Sequence, residues 1–162
     1  MHRAYLDTEF TDLNPYTYKL ISLALVVPGG PEFYVELTDH WVEAECSDFV
    51  REIVLPQLDL NVHGRTVDQA RVELWAFLLA LGPVEIVSDA VMWDWPLLVW
   101  LAGPEGLPDG VTAGRISSDI EFDDLGYEPP HHALQDARLL ARPGRSRPRG
   151  RPRSSRPRCP MW

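Results

Sequence analysis

Cysteine is nearly absent from this chain of 162 residues: only Cys46 and Cys159 occur, far apart. That excludes a disulfide framework and a cysteine-ligated zinc site. No apolar run reaches the roughly 20 residues of a membrane span. The opening "MHRAYLDTEF" lacks the long apolar segment and small-residue cleavage site of a secretory signal. A cytoplasmic, reducing setting with no membrane role is the expectation.

Basic residues are scarce where acids abound. All 24 acids lie at or before Asp136, and only six basic residues (Arg3, Lys19, Arg51, Arg65, Arg71, Arg115) precede position 138. The body therefore carries −18, while nine arginines from Arg138 onward give the end +9. An acidic body argues against broad electrostatic capture of nucleic acid. It is compatible with a narrow site in which bound cations reverse the local sign.

What is present suffices for one well-cored domain: 45% of residues are hydrophobic and 10% aromatic. Residues 1–142 are expected to form it. Residues 143–162 collapse to Arg, Pro, Ser and Gly before ending "CPMW", and read as a disordered tail. Such a tail would either grip phosphates or extend passively.

Alternation and turn residues predict strands over Tyr5–Phe10, Lys19–Val27 and Glu32–Leu37, arranged as an antiparallel meander. Ser47 is a plausible cap for a short helix stopped by Pro56. Thr66 and Gln69 make a capping-box pattern ahead of a helix that Gly82-Pro83 ends. A buried strand follows at Val84–Ser88, then a helix over "WDWPLLVWLAG" with Pro96 in its first turn. From Pro104 to Pro130 we expect mostly loop, with one short strand near Ile116–Ser118. "HHALQDARLLA" is the last helix. Strands first, then alternating helices and strands, give an α/β fold with a mixed central sheet, its first three strands antiparallel, flanked by helices.

The first strand poses the chemical question. Asp7 and Glu9 lie two apart, so they share a face, roughly 6 to 7 Å from each other at about 3.3 Å rise per residue. Two partly buried carboxylates so close repel, and desolvation adds to the cost. A shared divalent cation relieves this; a protonated acid, Arg3 on the same face, or a solvated strand face are the alternatives. Asp94 sits near a helix start, where an acid is also a simple cap. Asp136 stands in an otherwise apolar helical turn, and His131, five residues earlier, falls just before that helix.

Together the segments "LDTEFTDL", "SDAVMWDWPLL" and "HHALQDA" resemble the three motifs of the DEDDh-type 3′→5′ exonucleases, and most closely those of small single-domain actinobacterial and phage exoribonucleases. The resemblance spans roughly residues 3–142 and implies a ribonuclease-H-like fold. It implies that Asp7, Glu9, Asp94 and Asp136 hold two divalent ions, magnesium or manganese, the hard cations that oxygen ligands favour. Family spacing selects His131 over His132 as general base, leaving His132 an exposed polar position. Thr8, Phe10, Thr11 and Leu13 are implied as the pocket for the terminal nucleotide; Phe10 and Leu13 would otherwise be ordinary core. The implied substrate is the 3′ end of RNA, or of single-stranded DNA, with release of nucleoside monophosphates. Members of this size often pair, so a homodimer is a further implication. Trp93 and Trp95 offer either a stacking surface or core packing. Asp12, Asp89, Asp119, Asp123 and Asp124 read as solvated loop acids. The final helix of the family runs on further than Pro143-Gly144 allows here. The rival reading is a catalytically weak nucleic-acid-binding protein using its Arg-rich tail.

Overall fold

A computed structural model describes residues 1–114 and 129–142. The expected strand near Ile116–Ser118, the acids at 119, 123 and 124, and the Arg-rich tail lie outside the described residues.

Strand β1 (His2–Phe10) pairs antiparallel with β2 (Leu20–Val26), which pairs antiparallel with β3 (Glu32–Leu37). The expected meander is therefore present. Beyond β3 the chain makes a 3-10 turn (Glu43–Glu45), a π-helical turn (Val50–Val54), a second 3-10 turn (Leu55–Gln57) and the short α1 (Leu60–His63). The short helix expected after Ser47 is present as this wide and then narrow winding. Ser47 does cap it, accepting from Val50 N, but Leu55 N reaches back five residues to Val50 O and Pro56 follows at once. A proline has no N–H to continue the ladder.

Strand β4 (Gly64–Arg65), too short to carry periodicity, pairs parallel with β3. Helix α2 (Val67–Leu81) starts on the expected box: Thr66 N donates to Gln69 Oε1 at 3.0 Å and Gln69 N to Thr66 Oγ1 at 3.3 Å. It stops at Gly82, whose φ of +69° suits a residue without a Cβ. Strand β5 (Val84–Val87) pairs parallel with β1, and β6 (Val111–Ala113) pairs parallel with β5. Between them α3 (Val91–Ala102) begins two residues earlier than Trp93, which puts Pro96 in the second turn rather than the first. Helix α4 (Ala133–Leu140) closes the described chain.

The sheet order is β4-β3-β2-β1-β5-β6. One face carries Leu6, Leu23, Leu25, Val35 and Ile86 against α2 and α3 residues such as Leu74, Leu78, Leu98 and Leu101. The other packs Ala24 and Val26 beneath Ala133 and Ala137 of α4 and Ala141 at its end. Small residues on both partners bring α4 close to the sheet, and odd-numbered side chains of β1 point into that contact. Pairing of β5 with β1 ends at Tyr5↔Val87. From Leu6 onward β1 is free along that edge, because the chain after β5 turns away and comes back as the first turn of α3. The gap that this opens is where the acids meet.

Candidate metal-binding active site

Asp7 and Glu9 sit on the α4 face of β1, and Asp136 descends onto them from the first turn of α4. One oxygen from each of the three lies within 4.8 Å of the others. Asp7 belongs to a second such group, with Asp89 from the turn after β5 and Asp94 from α3, again within 4.8 Å. The expected four acids are thus brought together through Asp7.

Asp89 adds a fifth carboxylate. Its signal lay in "SDA", where it ends a buried strand beside the second motif, but loop acids are usually solvated and the residue is indeed exposed.

Hydroxyls and backbone amides hold the carboxylates in place. Asp94, 2% exposed, accepts from Thr8 Oγ1 at 2.5 Å and from the Ser88 hydroxyl. Asp136 Oδ2 accepts from His132 N, the amide just before α4, at 3.2 Å. Two carboxylate oxygens, Asp7 Oδ2 and Asp136 Oδ1, are buried without a partner among the described residues. A buried carboxylate oxygen with no donor is costly, and acid beside acid makes it costlier.

Electrostatics follow from that crowding. Burial drives the Asp7 carboxyl well above the usual range, and the charges of Asp94, Glu9 and Asp136 push it further. Burial first, then Asp136 and Asp94, raises Glu9 to about 8. Asp94 rises to about 7 through burial, opposed by the Ser88 and Thr8 hydroxyls. Asp136 reaches about 7, burial again outweighing the His132 amide. Asp89 is raised too, chiefly by partial burial of its carboxyl. Without a cation the cluster holds protons near neutrality. With only oxygen donors and two orphaned oxygens, the residues fit a hard divalent cation such as magnesium or manganese.

The remaining expected residues are placed as follows. Thr8 is 6% exposed and spends its hydroxyl on Asp94. Phe10 stacks on Trp93 with ring centroids 5.6 Å apart, and Tyr18 meets both rings edge-on. Thr11 is buried, with its N–H on Lys19 O, its carbonyl accepting from Ser47 N and its hydroxyl accepting from Lys19 N. Its backbone is thus engaged within the protein. Leu13 is exposed beside this corner. Trp93 and Trp95 both pack against the core.

His131 belongs to neither carboxylate group. It precedes α4 with a left-handed φ of +54°, and its ring meets Phe49 edge-to-face at 4.9 Å. His132 is not the exposed position expected. Its ring packs 5.1 Å from that of Tyr34, its Nε2 lies 3.3 Å from the Tyr34 hydroxyl, and its Nδ1 is buried without a partner. Choosing His131 by its spacing from Asp136 left His132 outside, because the contact with Tyr34 of β3 has no sign in that spacing.

No protein-family model matches the chain, and no curated protein does either. Among solved structures it is similar to the crystal structure of cell-death related nuclease 4 (CRN-4), with a TM-score of 0.54 at 16% sequence identity. The match covers 86% of this chain and 61% of that one, so the chain spans less than two thirds of its neighbour's length. What the two share is the fold, which in this chain is a six-stranded mixed sheet flanked by helices, of ribonuclease-H-like architecture.

Proposed function

We propose that residues 1–142 form a metal-dependent 3′→5′ exonuclease that hydrolyses phosphodiester bonds at the 3′ end of RNA or single-stranded DNA. The observation that carries the reading is the pair of carboxylate groups sharing Asp7, each ready to receive a cation, on a fold shared with a nuclease. Asp7, Glu9 and Asp136 would hold one ion; Asp7, Asp94 and Asp89 would hold the other. Bound magnesium or manganese supplies charge stabilisation for the attacking and leaving oxygens of an in-line displacement. The chain's own residues do the rest. Thr8 and Ser88 fix the rotamer of Asp94. The backbone at His132 orients Asp136. His131 serves as general base for the attacking water. Tyr18 and Trp93, backed by the buried Phe10 and with exposed Leu13 nearby, offer an apolar surface for the last base, a contact that tolerates any sequence.

The test is degradation of 5′-labelled single-stranded RNA and its DNA twin, in manganese and in EDTA, by the wild type and by His131→Ala. We expect a ladder shortening from the 3′ end that needs metal and slows about 10²-fold or more in the variant. Intact substrate in every lane, from folded wild-type protein, would sink the proposal.

The fifth acid has its own expectation. Asp89→Asn should weaken manganese binding about tenfold or more, read as a rightward shift in the manganese titration of thermal stability. An unchanged titration would return Asp89 to the solvated loop.

A further inference from the structure

A left-handed backbone at a residue bearing a side chain persists only when its surroundings over-determine it. At His131 the surroundings are specific. The carbonyls of Pro130 and His131 flank the two soft torsions of His131, and a single side chain takes both. Gln57 Nε2 donates to Pro130 O at 2.8 Å and to His131 O at 3.3 Å, while also meeting Ile53 O at 2.8 Å. Holding two successive carbonyls restrains φ and ψ together.

The same stretch of chain also seats the ring, since Phe49 lies against His131 from eight residues upstream of Gln57. At its start the stretch is tied to the acid-bearing strand, because Ser47 N donates to Thr11 O at 2.9 Å, two residues past Glu9. Between these anchors runs the π-helical turn Val50–Val54, a winding that is rare and often found at functional sites. Residues 47–57 thus form a strut from the end of β1 to the head of α4. It joins the end of the acid-bearing strand to the histidine.

We propose that Gln57 is a positioning residue for His131: its side-chain amide clasps the Pro130 and His131 carbonyls and holds the left-handed turn that sets where the imidazole stands. The inference rests on the exonuclease reading and adds to it the element that orders its general base. A misplacement of about 1 Å at a reacting group costs on the order of 10²-fold in rate, so the effect belongs in kcat.

Gln57→Glu keeps size and shape but turns a donor toward two carbonyls into a carboxylate; Gln57→Ala removes it. Each is expected to lower kcat on the labelled RNA by about 10- to 100-fold, with KM and the manganese-induced gain in thermal stability unchanged. In the His131→Ala background, Gln57→Glu should cost nothing further, because groups acting as one unit are not additive. Unchanged or raised kcat in the single variants would overturn the inference, as would an equal loss with and without His131. Those results leave the exonuclease reading standing, whereas an inactive wild type removes both.

Discussion

Replacing Asp7 by Asn is expected to lower nuclease activity by at least about 10³-fold while making the metal-free protein more stable. Both effects have one cause. Asp7 is the carboxylate common to the two oxygen groups, and one of its oxygens is buried with no donor. Loss of several kcal/mol of charge stabilisation in the transition state corresponds to a thousandfold or more, at about 1.4 kcal/mol per factor of ten. In the absence of cation the same carboxylate is a liability, crowded by Asp94, Glu9 and Asp136. An amide removes that repulsion and the pressure to stay protonated. Thermal melts in EDTA should therefore move upward in the variant, and the manganese-induced shift should vanish. A variant that stays active, or that melts lower in EDTA, would show that Asp7 is an ordinary structural acid.

In EDTA the wild-type protein should lose stability as pH rises from about 4 to about 8. Unfolded carboxylic acids titrate near 4. In the folded chain Glu9 is pushed up to about 8, and Asp94 and Asp136 to about 7. Between those limits the folded state binds more protons than the unfolded one, so stability is full below pH 4 and declines until the folded groups have ionised. Several groups contribute, so the loss adds up over the interval. Protons and cations compete for these oxygens, so the gain from manganese should grow over the same interval, with protons released on binding. Melts at about pH 5 and about pH 8, with and without manganese, measure it directly. A metal-free protein that is steadier at the higher pH would contradict the buried, cation-poor cluster.

The elements that were legible in advance share a local cause. Parity along β1 put Asp7 and Glu9 on one face because a strand alternates strictly. The Thr66/Gln69 box starts α2 through hydrogen bonds spanning three residues, and Gly82 stops it through its own φ. The meander followed from a turn as short as Pro28-Gly29-Gly30-Pro31. What escaped has a distant cause. The winding over 50–57 is held by anchors at Thr11 and Pro130. The partial burial of His132 comes with its contact to Tyr34, 98 residues away. Neither leaves a trace in periodicity.

The sequence by itself determined β1 to β3, α2, β5, α3 and α4 in their order, though not α1, β4 or β6, and four of the acids able to share a cation, since alternation, capping and residue chemistry act over a few positions. Only the tertiary structure decided that β5 stops pairing at Tyr5, that the gap so opened admits Asp94 together with Asp89, and that Gln57 meets the carbonyls before α4. Those contacts join residues about 70 to 90 positions apart. They exist because β1 lies between β2 and β5 in one sheet with α3 and α4 on opposite faces, a packing of buried apolar surfaces that no local pattern spells out.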